Sequence, residues 1–158
     1  VSIDAAHATE LKSRRSITGF LMLFCGAAIA WKSRVQSVVA TSSTEAEFYA
    51  AVTCAKVAKY LRYVLLELDA IQSGPTKLFI DNVAALQMIN ENRPTPRARH
   101  IETQHFAIQE WRQKGDVIME HLSGLINPSD GLTKALGWVL HARHARRGMG
   151  HYKLGSSV

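Results

Sequence analysis

From Glu45 to Leu68 the apolar residues keep a 3.6-residue period, which predicts one long helix ending before Ser73-Gly-Pro75. Ahead of it, two apolar runs, Ile17 to Cys25 and Ala27 to Ser33, flank Gly26 and read as the strands of a tight hairpin. Val1 to Asp4 reads as a short strand, set off from the hairpin by the basic loop Glu10-Leu-Lys-Ser-Arg-Arg15. Beyond the long helix the pattern predicts a strand at Lys77 to Asp81, a short helix at Asn82 to Asn90, and a breaker at Asn92-Arg-Pro-Thr-Pro96. A second helix, roughly His100 to Lys114, follows, then a strand at Asp116 to His121 and a helix at Asn127 to Leu136 opened by Asn-Pro. Three strands followed by alternating helices and strands imply an α/β fold, with a mixed sheet that starts as an antiparallel hairpin and continues with parallel strands. The expected division is a domain over 1–136 and a basic C-terminal tail over 137–158.

The start of the long helix, Ala40-Thr-Ser-Ser-Thr-Glu-Ala-Glu-Phe-Tyr-Ala-Ala51, holds two glutamates two residues apart. Ser42 with Glu45 fits a capping box, and so does Thr44 with Glu47. Residues two apart on a helix point to different sides, so the two carboxylates cannot share one task. Counting in threes and fours from Glu47 gives Ala51, Cys54, Ala58, Leu61 and Leu65; from Glu45 the count gives Tyr49, Val52, Lys56, Lys59 and Tyr63. Glu47 thus heads the more apolar face. A carboxylate aimed at a core needs a partner, a hydrogen bond or a metal, so Glu47 is expected to have one and Glu45 is not.

At 158 residues and 47% hydrophobic content the chain can bury the core of one ordinary domain. A formal charge of +6 favours an acidic partner, nucleic acid before a membrane surface. Cys25 and Cys54 sit in apolar segments without Cys-x-x-Cys spacing, so they read as small buried hydrophobes and argue against zinc. No apolar run approaches the length of a membrane span and no secretory leader opens the chain, which reads as a non-secreted protein or a piece of a polyprotein.

Four acids stand at the ends of predicted elements: Asp4 and Asp81 end strands, Glu47 begins the long helix, and Asp130 lies in the opening turn of the last one. Brought together, four carboxylates would repel unless divalent cations neutralised them, and oxygen-only ligands suit Mg2+ or Mn2+. Two such ions form the clamp used for phosphodiester cleavage. The pattern alone leaves two readings open, a shared metal site or four unrelated caps and surface acids.

The order of elements, together with Asp4-Ala, Arg14-Arg-Ser16, Thr18-Gly-Phe20, Ala27-Ala-Ile-Ala-Trp-Lys-Ser33, Ser42-Ser-Thr-Glu-Ala-Glu47-Phe, Asp81-Asn82, Arg99-His-Ile101 and Asp130-Gly-Leu-Thr-Lys134, resembles the ribonuclease H domain of copia-type retrotransposon polyproteins. The resemblance covers nearly the whole chain. It implies a ribonuclease H-like fold with a five-stranded mixed sheet flanked by helices. It also implies that Asp4, Glu47, Asp81 and Asp130 hold two Mg2+ or Mn2+ ions. The implied reaction is endonucleolytic hydrolysis of the RNA strand of an RNA–DNA hybrid, leaving a 3′-hydroxyl and a 5′-phosphate. A reverse transcriptase domain would precede it in the polyprotein, with no membrane partner, and the compartment would be the cytoplasm, in virus-like particles, or the nucleus. The other readings are a domain of the same fold that binds nucleic acid without cutting it, and a nuclease of that fold acting on DNA.

The sequence departs from the family pattern in two places, of which the first leaves the four acids untouched and the second bears on substrate contacts. The opening is Asp4-Ala-Ala-His7 in place of an Asp-Ala-Asp-Trp type, and Gln104 and Gln109 stand where relatives often carry Arg. His121 ends the last strand ahead of a Ser-Gly loop, and is either an ordinary strand-end residue or, as in some cellular ribonucleases H, a catalytic histidine near the leaving product. His141 and His144 fall in the basic tail and read as solvated or RNA-contacting, not as metal ligands. For His100 and His105 phosphate contact and packing stay equally open. Arg14, Arg15, Trp31, Lys32 and Ser33 suit backbone tracking with stacking, and Arg97, Arg99 and His100 join them as candidate nucleic-acid contacts. A core position is the alternative for Trp31. Asn82 either donates to a ribose 2′-hydroxyl or caps a helix.

Overall fold

The computed structural model describes residues 1–10, 13–91 and 102–150. Five strands form one mixed sheet: β1 (Ser2–Ala6), β2 (Ile17–Phe24), β3 (Ala27–Val35), β4 (Thr76–Ile80) and β5 (Val117–His121). Their order across the sheet is β3-β2-β1-β4-β5, with β1–β2 and β2–β3 antiparallel and β1–β4 and β4–β5 parallel. The hairpin turns through Cys25 and Gly26, both at positive φ (50° and 84°), the conformation that two-residue hairpin turns require. Cys25 is therefore exposed at the turn, contrary to the buried site expected for it, and only Cys54 is buried.

The helices are α1 (Ser43–Glu67), α2 (Val83–Asn90), α3 (Glu102–Gln113) and α4 (Trp138–Gly148). α1 lays the face of Ala51, Cys54, Ala55 and Ala58 on the sheet, where small side chains let helix and strands approach closely. Ile3, Phe20, Met22, Phe48, Leu78, Ile80, Ile89 and Ile108 fill the core between them. His105 belongs to this packing: it is fully buried, its ring stacks on Phe48 at 6.3 Å, and its Nε2 is 3.0 Å from the Met88 carbonyl. Gln109 is buried too, and its amide binds the carbonyls of Ile89 and Glu91. It joins α3 to the end of α2, so this departure from Arg serves packing.

The helix expected over Asn127 to Leu136 is instead a short 3-10 turn, Pro128–Leu132. Its ends are tied to β1: Asn127 donates to the Ile3 carbonyl at 2.7 Å and Thr133 donates to Asp4. Those anchors hold the segment against the strand and stop it winding further. The stretch expected as a basic tail contains α4, which packs on this turn with His144 buried beneath it, while 151–158 lie outside the described residues. The Asn92–Pro96 breaker, Arg97, Arg99 and His100 also lie outside them.

Candidate metal and nucleic-acid site

Register brings the first two acids level. Ser2 pairs with Phe79 across the parallel β1–β4 ladder, so two residues further along each strand Asp4 stands beside Asp81, just past the end of β4. Neighbouring strands lie about 5 Å apart, close enough for both carboxylates to face one point. α1 supplies the third acid. Ser42 caps the helix by accepting from the Glu45 N–H at 3.1 Å, and Glu45 reaches back to the Thr41 N–H (2.7 Å) and hydroxyl (2.5 Å). Of the two capping boxes legible in the chain, the one built on Ser42 supplies the cap, with Glu45 reaching one residue further back than the box requires, to Thr41.

With α1 started there, Glu47 turns onto the sheet and its Oε1 accepts from the Ala5 N–H at 2.8 Å. Its other oxygen, Oε2, is buried with no hydrogen-bond partner. One carboxylate oxygen from each of Asp4, Glu47 and Asp81 lies within 4.8 Å of the others. Glu45 departs from the face count: it is as buried as Glu47 (6% against 4% exposed) and is bound to Thr41, so both glutamates have partners.

Asp130 joins through a cation. Lys134, one helical turn further along, holds its ammonium 2.8 Å from Asp130 Oδ1 and 3.4 Å from Asp4 Oδ1. Thr133 binds the other oxygen of Asp4. The turn that carries Asp130 sits on β2 at Gly19, where a Cβ would meet Thr133 Cγ2 at 2.5 Å and Leu132 Cβ at 3.0 Å. Gly19 pairs with Asp4 in the β1–β2 register, so the glycine of the Thr18-Gly-Phe20 stretch makes room for the fourth acid beside the first.

The electrostatics follow from this crowding. Burial, then the neighbouring Asp4 charge, pushes the Glu47 carboxyl up to about 8. Burial also raises Asp4, against the pull of Thr133 and Lys134, and raises Asp81, where Lys134 again opposes it. Burial draws Lys134 down, but its bonds to Asp130 and Asp4 outweigh that and hold it above its ordinary value. Hard oxygen donors, mutual repulsion and a buried oxygen without a partner together fit a divalent cation among Asp4, Glu47 and Asp81. Neither Lys134 nor Thr133 stands out as a site residue in the sequence, although the four-residue spacing of Asp130 and Lys134 is a helix-pair signal.

The candidate nucleic-acid contacts divide. Asn82 caps α2 through its side-chain oxygen, 3.0 Å from the Ala85 N–H, directly after Asp81. Trp31 is 67% exposed, so it is a surface residue of β3 and not a core one. Ser33 is level with Gly19 and Asp4, and its hydroxyl donates to the Leu132 carbonyl at 2.6 Å. Arg14 and Arg15 are exposed in the β1–β2 loop, and Lys32 points with Arg34 to the opposite side of β3 from Trp31 and Ser33. His121 is exposed at the end of β5, level with Ile80, the residue before Asp81.

A mixed five-stranded sheet of this order, backed by a long helix, with one acid in the middle of its central strand β1 and another just past the end of the parallel strand β4, has a ribonuclease H-like fold. The solved structure of LC11-RNase H1, isolated from compost, matches it with a TM-score of 0.62 and 11% identity, covering 84% of this chain and 89% of that one. No family model matches the chain. It is homologous to a segment of the retrovirus-related Pol polyproteins of plant transposons: that of transposon TNT 1-94 from Nicotiana tabacum is 33% identical over 133 residues, 84% of this chain, and that of transposon RE2 from Arabidopsis thaliana is 28% identical over 144 residues, 91% of it. The chain spans about a tenth of the length of these relatives. Among the described residues no helix is long and apolar enough to cross a membrane.

Proposed function

We propose that this domain is a metal-dependent endoribonuclease that hydrolyses the RNA strand of RNA–DNA hybrids within a Pol polyprotein, next to a reverse transcriptase. The observation that carries the proposal is the convergence of Asp4, Glu47 and Asp81 on one point, with a buried Glu47 oxygen left without a partner. Asp4, Glu47, Asp81 and Asp130 would hold two Mg2+ or Mn2+ ions. Ions bound there supply the charge that stabilises an in-line displacement at phosphorus.

The chain's own residues do the rest. β1 and β4 fix Asp4 and Asp81 on rigid neighbouring strands, and the Ala5 N–H holds Glu47 in one orientation. Water attacks phosphorus, the bond to the 3′-oxygen breaks, and the products are a 3′-hydroxyl and a 5′-phosphate. His121, exposed at the end of β5, would pass a proton on the product side. Arg14, Arg15, Trp31, Lys32 and Ser33, with Arg97, Arg99 and His100, would engage the phosphate backbone. Asn82, though it caps α2 through its oxygen, keeps its amide N–H groups for a 2′-hydroxyl.

The test is incubation of the domain with end-labelled hybrid, double-stranded RNA and double-stranded DNA, each with and without Mg2+. Cleavage confined to the RNA strand of the hybrid and to the Mg2+ arms supports the assignment. Binding of hybrid without cleavage in any arm would make the domain a non-catalytic binding module.

A further inference from the structure

On the side of β3 that faces α1 there is a recess of about 790 Å³, separate from the acids. Among the described residues four cations line it, Arg15 from the β1–β2 loop, Lys32 and Arg34 from β3 and Lys56 from α1, and no carboxylate does. Elsewhere the lysines of the described residues are largely neutralised: Lys59 pairs with Asp116, Lys77 with Glu120, Lys114 with Glu110, and Lys134 with Asp4 and Asp130. None of the four groove cations has an ion pair among the described residues. Positive charge is thus left uncompensated in a recess large enough for more than a single phosphate.

A second observation points to what the recess takes. Gln36 forms part of its wall and is 7% exposed. Its amide nitrogen is fixed, donating to Thr18 Oγ1 at 3.0 Å and to the Ala46 carbonyl at 2.9 Å. Its oxygen is buried and has no partner. An acceptor held rigidly in a cationic recess asks for a ligand that is anionic and also carries N–H or O–H donors. Nucleotides meet both conditions, through phosphates on one side and base or ribose donors on the other. Tyr49, also in the lining, adds an aromatic side chain of the kind on which bases stack. A duplex is convex and can only lie across such a recess, whereas a single strand can lie inside it.

We infer that the recess between β3 and α1 is a second nucleic-acid site, which binds single-stranded RNA or DNA through its phosphates without any part in hydrolysis; Arg15 and Lys32 are shared with the hybrid contacts proposed above, and Arg34 and Lys56 belong to it alone. It goes beyond the ribonuclease reading, since single-strand binding there needs neither the metal nor the acids.

The experiment uses the Asp81→Asn chain in EDTA, so that cleavage cannot interfere. Fluorescence anisotropy measures the affinity for labelled oligouridylate, oligothymidylate and a blunt hybrid over a salt series. Paired Arg34→Glu and Lys56→Glu substitutions should weaken both single strands about tenfold or more and the blunt hybrid far less, with the salt slope falling by about 0.7 for each phosphate that the variant no longer neutralises. Arg34→Gln with Lys56→Gln should give a smaller loss in the same direction, and serves if the charge reversals melt early. Unchanged single-strand affinity and slope in a folded variant would overturn the inference, as would a loss confined to the hybrid. Because binding is read without metal, failure to cleave hybrid in Mg2+ would count against the ribonuclease proposal and leave this result standing.

Discussion

Replacing Glu47 by Gln should stabilise the metal-free domain at alkaline pH while ending its capacity to cut. Glu47 is 4% exposed, and burial with the Asp4 charge lifts its carboxyl from 4.5 to about 8. An acid raised in the folded state contributes stability that is complete below its unfolded value and is lost as pH climbs to the folded one. The wild-type domain in EDTA should therefore weaken between about pH 5 and pH 8. Each pH unit in that window is worth a little over 1 kcal/mol for one proton, so the ceiling is ~5 kcal/mol, and relaxation of a crowded site brings the expected figure to ~2 kcal/mol. Gln keeps the acceptor for the Ala5 N–H and turns its amide nitrogen toward the carboxylates of Asp4 and Asp81. Thermal melting in EDTA should show Glu47→Gln about equal to wild type at pH 5 and higher by roughly 4–8 °C at pH 8. Added Mg2+ should raise the wild type and leave the variant nearly unmoved. A variant that melts below wild type at pH 8, or follows the same pH slope, would refute the view that repulsion among carboxylates is stored at this position.

Glu45→Gln should behave oppositely, losing about 1–2 kcal/mol through its bonds to Thr41 while cleavage of hybrid stays near normal in the same assay. Lys134→Met removes the ammonium between Asp4 and Asp130, so calorimetric titration should show tighter Mg2+ binding, and melting in EDTA should show a less stable fold at neutral pH. Gly19→Ala drives a methyl into Thr133 and Leu132, and should cost about 1–3 kcal/mol by denaturant melting and lower the cleavage rate, because the turn bearing Asp130 is pushed off β2.

Much of this architecture is written in local pattern. Periodicity marks α1 within two residues at its start, and Gly26 marks the hairpin, because both are decided by neighbours along the chain. Asp81 is legible as a strand-end residue, whereas β1 runs on past Asp4 to Ala6, so Asp4 lies within its strand, and the parallel register makes the two acids meet. What local pattern misses is set by contacts between distant segments. The Asn127–Leu136 stretch has a helix's opening signal, yet bonds from Asn127 and Thr133 to β1 shorten it to one 3-10 turn. Trp31 and Glu45 escape the pattern for the same reason: β3 is an edge strand, so its tryptophan stays on the surface, and Glu45 is covered where the chain folds back through Thr41. The spacing of Asp130 and Lys134 is visible in the sequence, but that the lysine also reaches Asp4 depends on the Gly19 contact between turn and strand.

The most direct measurement is single-turnover cleavage of a hybrid carrying 5′-labelled RNA, comparing the parent chain with Asp81→Asn in Mg2+ and in EDTA. The parent should release RNA fragments ending in 3′-hydroxyls in Mg2+ only. Asp81→Asn should release none in either buffer while binding the hybrid within a few-fold of the parent. Cleavage by Asp81→Asn at the parental rate, or cleavage by the parent undiminished in EDTA, would contradict a metal-dependent site built on these acids.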